Sequence, residues 1–124
     1  MSLNKKILLV DDEEDFLAVI RAALEIRGFE IMTANSAIEA GLELSSKKPD
    51  LILMDIRMPG IDGFQACAAI KKNSDTANIP IMIVSALSED AQIERAHKMG
   101  IPDYFVKPID IEKLVKRIKE ALAV

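Results

Sequence analysis

Five side chains stand directly after short apolar runs. Asp11 and Asp12 follow Ile7-Leu8-Leu9-Val10, Asp55 follows Leu51-Ile52-Leu53-Met54, Ser85 follows Ile81-Met82-Ile83-Val84, and Lys107 follows Tyr104-Phe105-Val106. Gathered in one place, three carboxylates repel, at about 4 kcal/mol for a pair of unit charges in contact at an effective dielectric near 20. A divalent cation removes that cost, and hard oxygen donors without histidine or cysteine point to Mg²⁺, which keeps several waters and accepts phosphate oxygens. A lysine adds a compact positive charge suited to a phosphoryl group or a carboxylate. A serine hydroxyl can donate to a phosphoryl oxygen, and a carboxylate can itself accept a phosphoryl group. These residue types point to a Mg²⁺-assisted phosphoryl site with Asp55 as candidate nucleophile.

Each residue also has an ordinary explanation. Asp12 could open a helix, Asp55 could be a turn residue before Met58-Pro59-Gly60, Ser85 could be a cap, and Lys-Pro pairs are common in loops. Glu13, Glu14 and Asp15 extend the acidic run and read as solvated acids at a helix start, where the helix dipole favours them. What argues against coincidence is the placement of the other five, which depends on the elements that carry them.

Strand-length apolar runs occur at Lys6–Val10, Phe29–Thr33, Asp50–Met54, Pro80–Val84 and Tyr104–Val106. Several are apolar on successive residues, as in a parallel sheet covered on both faces. Helical periodicity fills the intervals, most clearly in the stripe Ile111, Leu114, Val115, Ile118 and Leu122. Ser36-Ala37-Ile38-Glu39 reads as a capping box, Asp110 as an N-cap, and Gly28 and Gly100 as helix stops. Pro49, Pro80 and Pro102 fall in connections, where a missing N–H does little harm. Five βα units predict an α/β fold, a five-stranded parallel sheet with helices on both faces, doubly wound and flavodoxin-like, in strand order 2-1-3-4-5. In such sheets the site lies beyond the carboxyl ends of the strands, at the switch in strand order. Asp11, Asp12, Asp55, Ser85 and Lys107 all belong to that edge.

The 124 residues suffice for one domain, 1–124, with a single core. A net charge of −4 argues against nucleic acid or an anionic membrane as the main partner. No apolar run approaches the roughly 20 residues of a membrane span, and the first six residues lack a signal-peptide pattern. The lone cysteine, Cys67, lies among alanines and reads as a small buried hydrophobe, fitting a reducing cytoplasm. The lone histidine, His97, falls near a helix C-terminus; its being the only one rules out a His/Cys metal site.

The chain resembles the receiver domain of two-component response regulators, chemotaxis regulators among them, from about Lys5 to Leu122. Asp11-Asp12, the segment Met54-Asp55-Ile56-Arg57-Met58-Pro59-Gly60-Ile61-Asp62-Gly63, Ser85-Ala86 and Lys107-Pro108 carry the resemblance. It implies that Asp55 accepts a phosphoryl group from a sensor histidine kinase or histidine phosphotransfer protein. It implies Mg²⁺ held by Asp12 and Asp55, by Asp11 mainly through water, and by the Arg57 carbonyl. Ser85 and Lys107 would bind phosphoryl oxygens, Tyr104 would be the aromatic switch position, and the Lys107–Pro108 bond would be cis. The signal would leave through the face of the fourth helix, fifth strand and fifth helix, toward an effector, a fused output domain or a second receiver in a phosphorylation-dependent homodimer.

Serine stands where threonine is commoner at 85, and Ile61 where methionine is frequent. Leu87 cannot orient a hydrolytic water, which favours a long-lived phosphoryl group. The chain ends just after the fifth helical stretch, with no output domain within it, as in a free-standing regulator or a piece of a longer one. Three other readings remain: a receiver-like module that only binds, a Mg²⁺-dependent phosphatase, and a flavin carrier. The acid and lysine positions are all present, which disfavours the first. Arg57 stands where a phosphatase needs a second acid, and the acid cluster would repel a flavin phosphate.

Overall fold

The computed structural model of the chain describes residues 2–58 and 61–124; the motif residues Pro59 and Gly60, and Met1, lie outside them. Strands β1 (Lys6–Val10), β2 (Glu30–Ala34), β3 (Leu51–Met54), β4 (Ile81–Ser85) and β5 (Tyr104–Val106) alternate with helices α1 (Glu14–Ile26), α2 (Ala37–Ser46), α3 (Gly63–Lys72), α4 (Asp90–Lys98) and α5 (Ile111–Leu122). All strand pairs in the sheet are parallel, in the order β2-β1-β3-β4-β5. The expected strands at positions 2, 3 and 4 each start one residue later than their apolar runs.

The chain path holds a short ladder outside the five-stranded sheet. Arg57–Met58 pairs antiparallel with Ile61–Asp62 in a separate two-residue ladder. If these segments are counted as strands, the numbering of the last two sheet strands rises, but their places in the sheet do not change.

The unbroken apolar strands are explained by two cores. Leu8, Val10, Ile52, Met54, Ile81 and Ile83 face one side, against Ala40 of α2, Phe64, Cys67 and Ile70 of α3, and Ala96 of α4. Their neighbours Ile7, Leu9, Leu51, Leu53, Met82 and Val84 face the other, against Leu17, Ile20 and Leu24 of α1 and Leu114, Val115 and Ile118 of α5. Alternate residues of a strand point to opposite faces, so a strand covered twice must be apolar throughout. Cys67 is fully buried, and burial pushes its thiol up to about 12.

The punctuation acts largely as expected. Ser36 Oγ accepts the Glu39 N–H at 3.1 Å, while Glu39 Oε1 accepts the N–H of Asn35 at 3.0 Å rather than that of Ser36. Asp110 caps α5 through the Lys113 N–H. Gly28 and Gly100 have φ of 96° and 80°, where a side chain would be strained. No helix among the described residues is long and apolar enough to cross a membrane.

Candidate functional site

The sheet's hydrogen bonding continues one residue past its strand ends and thereby sets the site. The Asp11 N–H donates to the Ala34 carbonyl at 3.0 Å, the Asp55 N–H to Val10 at 2.9 Å, and the Lys107 N–H to Ser85 at 2.8 Å. Val10 and Met54 are register partners across β1 and β3, so Asp11 and Asp55 emerge side by side where the strand order reverses. Ser85 ends β4, fully buried, and Lys107 follows β5.

Carboxylate oxygens of Asp11, Asp12 and Asp55 lie within 4.8 Å of one another. Asp11 and Asp55 are buried, and Asp12 is exposed. One oxygen of each buried acid is held by backbone: Asp11 Oδ1 accepts the Glu13 N–H and Asp55 Oδ1 the Arg57 N–H, both at 2.9 Å. Lys107 Nζ occupies the other side. It lies 2.7 Å from Asp11 Oδ2, 2.7 Å from Glu13 Oε1 and 3.5 Å from Asp55 Oδ2. The Lys107–Pro108 bond is cis. A cleft of about 340 Å³ opens here, lined by Asp12, Glu13, Asp55, Arg57 and Ala86. A somewhat larger one, about 390 Å³, lies between α2 and α3 and away from these groups, so size alone does not mark the site.

The electrostatics follow from this crowding. Burial raises the Asp55 pKa; the Arg57 N–H opposes the rise, the Asp11 charge adds to it, and Lys107 and the Ser85 hydroxyl oppose it. Burial by itself would lower the Lys107 pKa, but its bonds to Asp11 and Glu13 outweigh that and the net shift is upward. Glu13 is lowered, chiefly by its hydrogen bond from Lys107. Two buried acids and one ammonium leave negative charge in excess. A carboxylate-only donor set with a resident lysine can hold a hard divalent cation.

Behind the acids, Ser85 Oγ accepts the Leu87 N–H at 3.2 Å, and the Tyr104 hydroxyl donates to the Leu87 carbonyl at 2.6 Å. Tyr104 is half-buried on β5, tied to the β4–α4 connection rather than to the acids. Glu13 is an exposed acid at a helix start, as expected, but it also has a partner the sequence did not indicate. Glu13 occupies the N-cap position of α1 but makes no side-chain cap; its carboxylate goes to Lys107 instead.

Two further residues escaped the sequence reading. The Phe16 ring lies 4.0 Å from Lys107 Nζ, an added hold on the ammonium. A Cβ on Gly63 would fall 2.2 Å from Ile56 Cα and 2.9 Å from the Asp55 carbonyl oxygen, so only glycine lets α3 start so close to the Asp55 backbone. Gly63 was visible as part of the Asp55 segment, but nothing local announced that contact.

The response regulator receiver domain model matches residues 7–119. Protein PilH of Pseudomonas aeruginosa is 36% identical over 118 residues, covering 95% of this chain and 98% of PilH. The phosphate regulon transcriptional regulatory protein PhoB of Rhizobium meliloti is 34% identical over 117 residues, 94% of this chain but 52% of PhoB. The chain thus spans about half the length of the transcriptional regulators it matches. A two-component response regulator from Clostridium difficile superposes with a TM-score of 0.90 at 31% identity, over 97% of each chain. With its fold and nearly its whole length matched, this chain belongs to the response regulator receiver domain family.

Proposed function

We propose that the chain, as one receiver domain over residues 1–124, is a phosphorylation-controlled signalling switch whose phosphoryl acceptor is Asp55. The observation that carries this reading is the convergence of Asp11, Asp12 and Asp55, oxygens within 4.8 Å, on one ammonium donor, Lys107. The family context supports a sensor histidine kinase or histidine phosphotransfer protein as donor, and an effector or output domain as receiver of the signal. A cytoplasmic location fits those partners.

In the proposed reaction an Asp55 oxygen attacks phosphorus, a P–O bond forms, the P–N bond of the donor phosphohistidine breaks, and the freed imidazole takes up a proton. Asp55 needs no base, because it is a carboxylate already. Arg57 supports the geometry twice. Its N–H fixes Asp55 Oδ1, leaving Oδ2 as the oxygen nearer Lys107, and its carbonyl is a proposed metal ligand beside Asp12 and Asp55. Asp11 is proposed to act on the metal mainly through water. When bound there, Mg²⁺ would supply charge neutralisation and orient the phosphoryl oxygens. Lys107 would bind one phosphoryl oxygen. Ser85 accepts from the Leu87 N–H and keeps its hydroxyl proton for another.

We further read Ser85–Leu87–Tyr104 as the outward path. A Ser85 that turns toward a phosphoryl group alters its bond to the Leu87 N–H, and the Leu87 carbonyl is what holds the Tyr104 hydroxyl. On this reading the responding surface would be the face of α4, β5 and α5, where a partner or a second receiver would dock. Incubation with Mg²⁺ and acetyl phosphate, followed by intact mass measurement, tests the reading. One phosphoryl group on wild type and none on Asp55→Asn supports the switch. No adduct on wild type favours a module that only binds, and steady phosphate release favours a phosphatase.

A further inference from the structure

Resting on the phosphoryl reading above, we propose that Glu13 is a positioning residue that restrains Lys107: it holds the ammonium away from Asp55 in the unphosphorylated protein and is the contact given up when a phosphoryl group arrives. An ammonium has three donors. Two of them make short contacts, 2.7 Å each, with Asp11 and Glu13, while Asp55 Oδ2 stands at 3.5 Å. The third donor faces Asp55, and drawing the ammonium in from 3.5 Å to bind a phosphoryl oxygen there would lengthen one of the two short contacts.

Burial decides which. The Asp11 side chain is 1% exposed, and breaking its bond would strand a buried carboxylate, a costly outcome. The Glu13 side chain is 61% exposed, and water can replace the lysine at little cost. The Phe16 ring, 4.0 Å from Nζ, keeps the lysine from leaving the site altogether. Lys107 therefore pivots between Glu13 and the phosphoryl group, with Asp11 as the fixed partner. Glu13 is not among the three acids gathered for a metal, so its role is separable from metal holding.

Glu13→Gln should speed acquisition of the phosphoryl group from acetyl phosphate by about twofold to fivefold, the range of a solvent-screened ion pair. Mg²⁺ affinity, measured by calorimetry, should change no more than about twofold. Glu13→Asp separates a direct hold from simple repulsion of the anionic donor, since it keeps the charge but withdraws the carboxylate by one methylene. A direct hold predicts that Glu13→Asp also reacts faster than wild type. Repulsion predicts that it reacts like wild type, which would overturn the proposal.

A second readout needs neither metal nor donor. In ¹⁵N spectra of the metal-free protein, the Lys107 ammonium signal should shift and exchange faster with water in Glu13→Gln. An unchanged signal would also overturn the hold. Wild type that forms no Asp55 adduct, with a Lys107 signal that still responds to Glu13→Gln, would overturn the phosphoryl reading while supporting the Glu13 contact.

Discussion

Replacing Asp55 with asparagine should stabilise the metal-free protein. The Asp55 carboxylate is buried, and its oxygens lie within 4.8 Å of those of Asp11, a repulsion of about 3.5 kcal/mol at an effective dielectric near 20. Lys107 at 3.5 Å returns roughly 4.7 kcal/mol on the same scale, so the charge terms leave only about 1 kcal/mol in favour of the ionised acid. Against this stands the burial of an ion, several kcal/mol, partly offset by the charge-assisted bond from the Arg57 N–H. With desolvation at roughly 4–5 kcal/mol and that bond at about 2, the balance disfavours the charge by about 1–2 kcal/mol, the same direction as the raised Asp55 pKa. Asparagine keeps an oxygen for the Arg57 N–H, and Lys107 keeps Asp11 and Glu13. The melting temperature in EDTA should therefore rise by roughly 3–8 °C.

The pH dependence has a definite sign. Folded Asp55 holds its proton more tightly than unfolded Asp55, so its own contribution to stability falls as pH rises from 3.8 through the raised folded value. The advantage of Asp55→Asn should be full at neutral pH and vanish below 3.8, where the acid is protonated in both states. Mg²⁺ should invert the order, because a ligand at a hundred times its Kd stabilises the binding form by about 2.7 kcal/mol. Differential scanning calorimetry in EDTA and in Mg²⁺ checks all three statements. A variant less stable than wild type in EDTA at neutral pH would refute the charge accounting.

Asp12→Ala should weaken Mg²⁺ binding at least tenfold by calorimetry and raise metal-free stability only slightly, since Asp12 is exposed and its repulsion is screened by solvent. Gly63→Ala should destabilise the fold by about 1–3 kcal/mol in urea titrations, because the new methyl would meet the Ile56 and Asp55 backbone rather than a flexible side chain. With Mg²⁺ and beryllofluoride, a phosphoryl mimic, wild type should show backbone NMR shifts from Ala86 to Pro108. Ser85→Ala should lose most of them, and shifts confined to the neighbours of Asp55 in wild type would leave no relay through Leu87 and Tyr104.

Much of this molecule is legible in the sequence because its signals are local. Ile7 to Val10 are apolar on successive residues because both faces of β1 are covered, and Gly28 and Gly100 mark helix ends because their φ values disfavour side chains. The convergence of Asp11, Asp55, Ser85 and Lys107 follows from topology once the strands are assigned, since each lies at a strand's carboxyl end. What stayed hidden depends on contacts far apart in sequence. Glu13 looks like its neighbours Glu14 and Asp15, and only the position of Lys107, 94 residues away, separates them. Phe16 begins an amphipathic helix like any apolar residue, and its place under the same lysine has no local sign. The Arg57–Met58 and Ile61–Asp62 ladder is two residues per strand, too short for any periodicity to reveal.

That one particular carboxylate carries the signal is tested most directly by locating the phosphoryl group in the chain. Wild-type protein treated with Mg²⁺ and acetyl phosphate, then with borohydride, converts an aspartyl phosphate to homoserine, which peptide mass spectrometry can place in the chain. Conversion is expected at Asp55 alone, dependent on Mg²⁺ and greatly reduced in Lys107→Ala. Conversion at Asp11 or Asp12, or unaltered conversion at Asp55 after Mg²⁺ is removed, would contradict it.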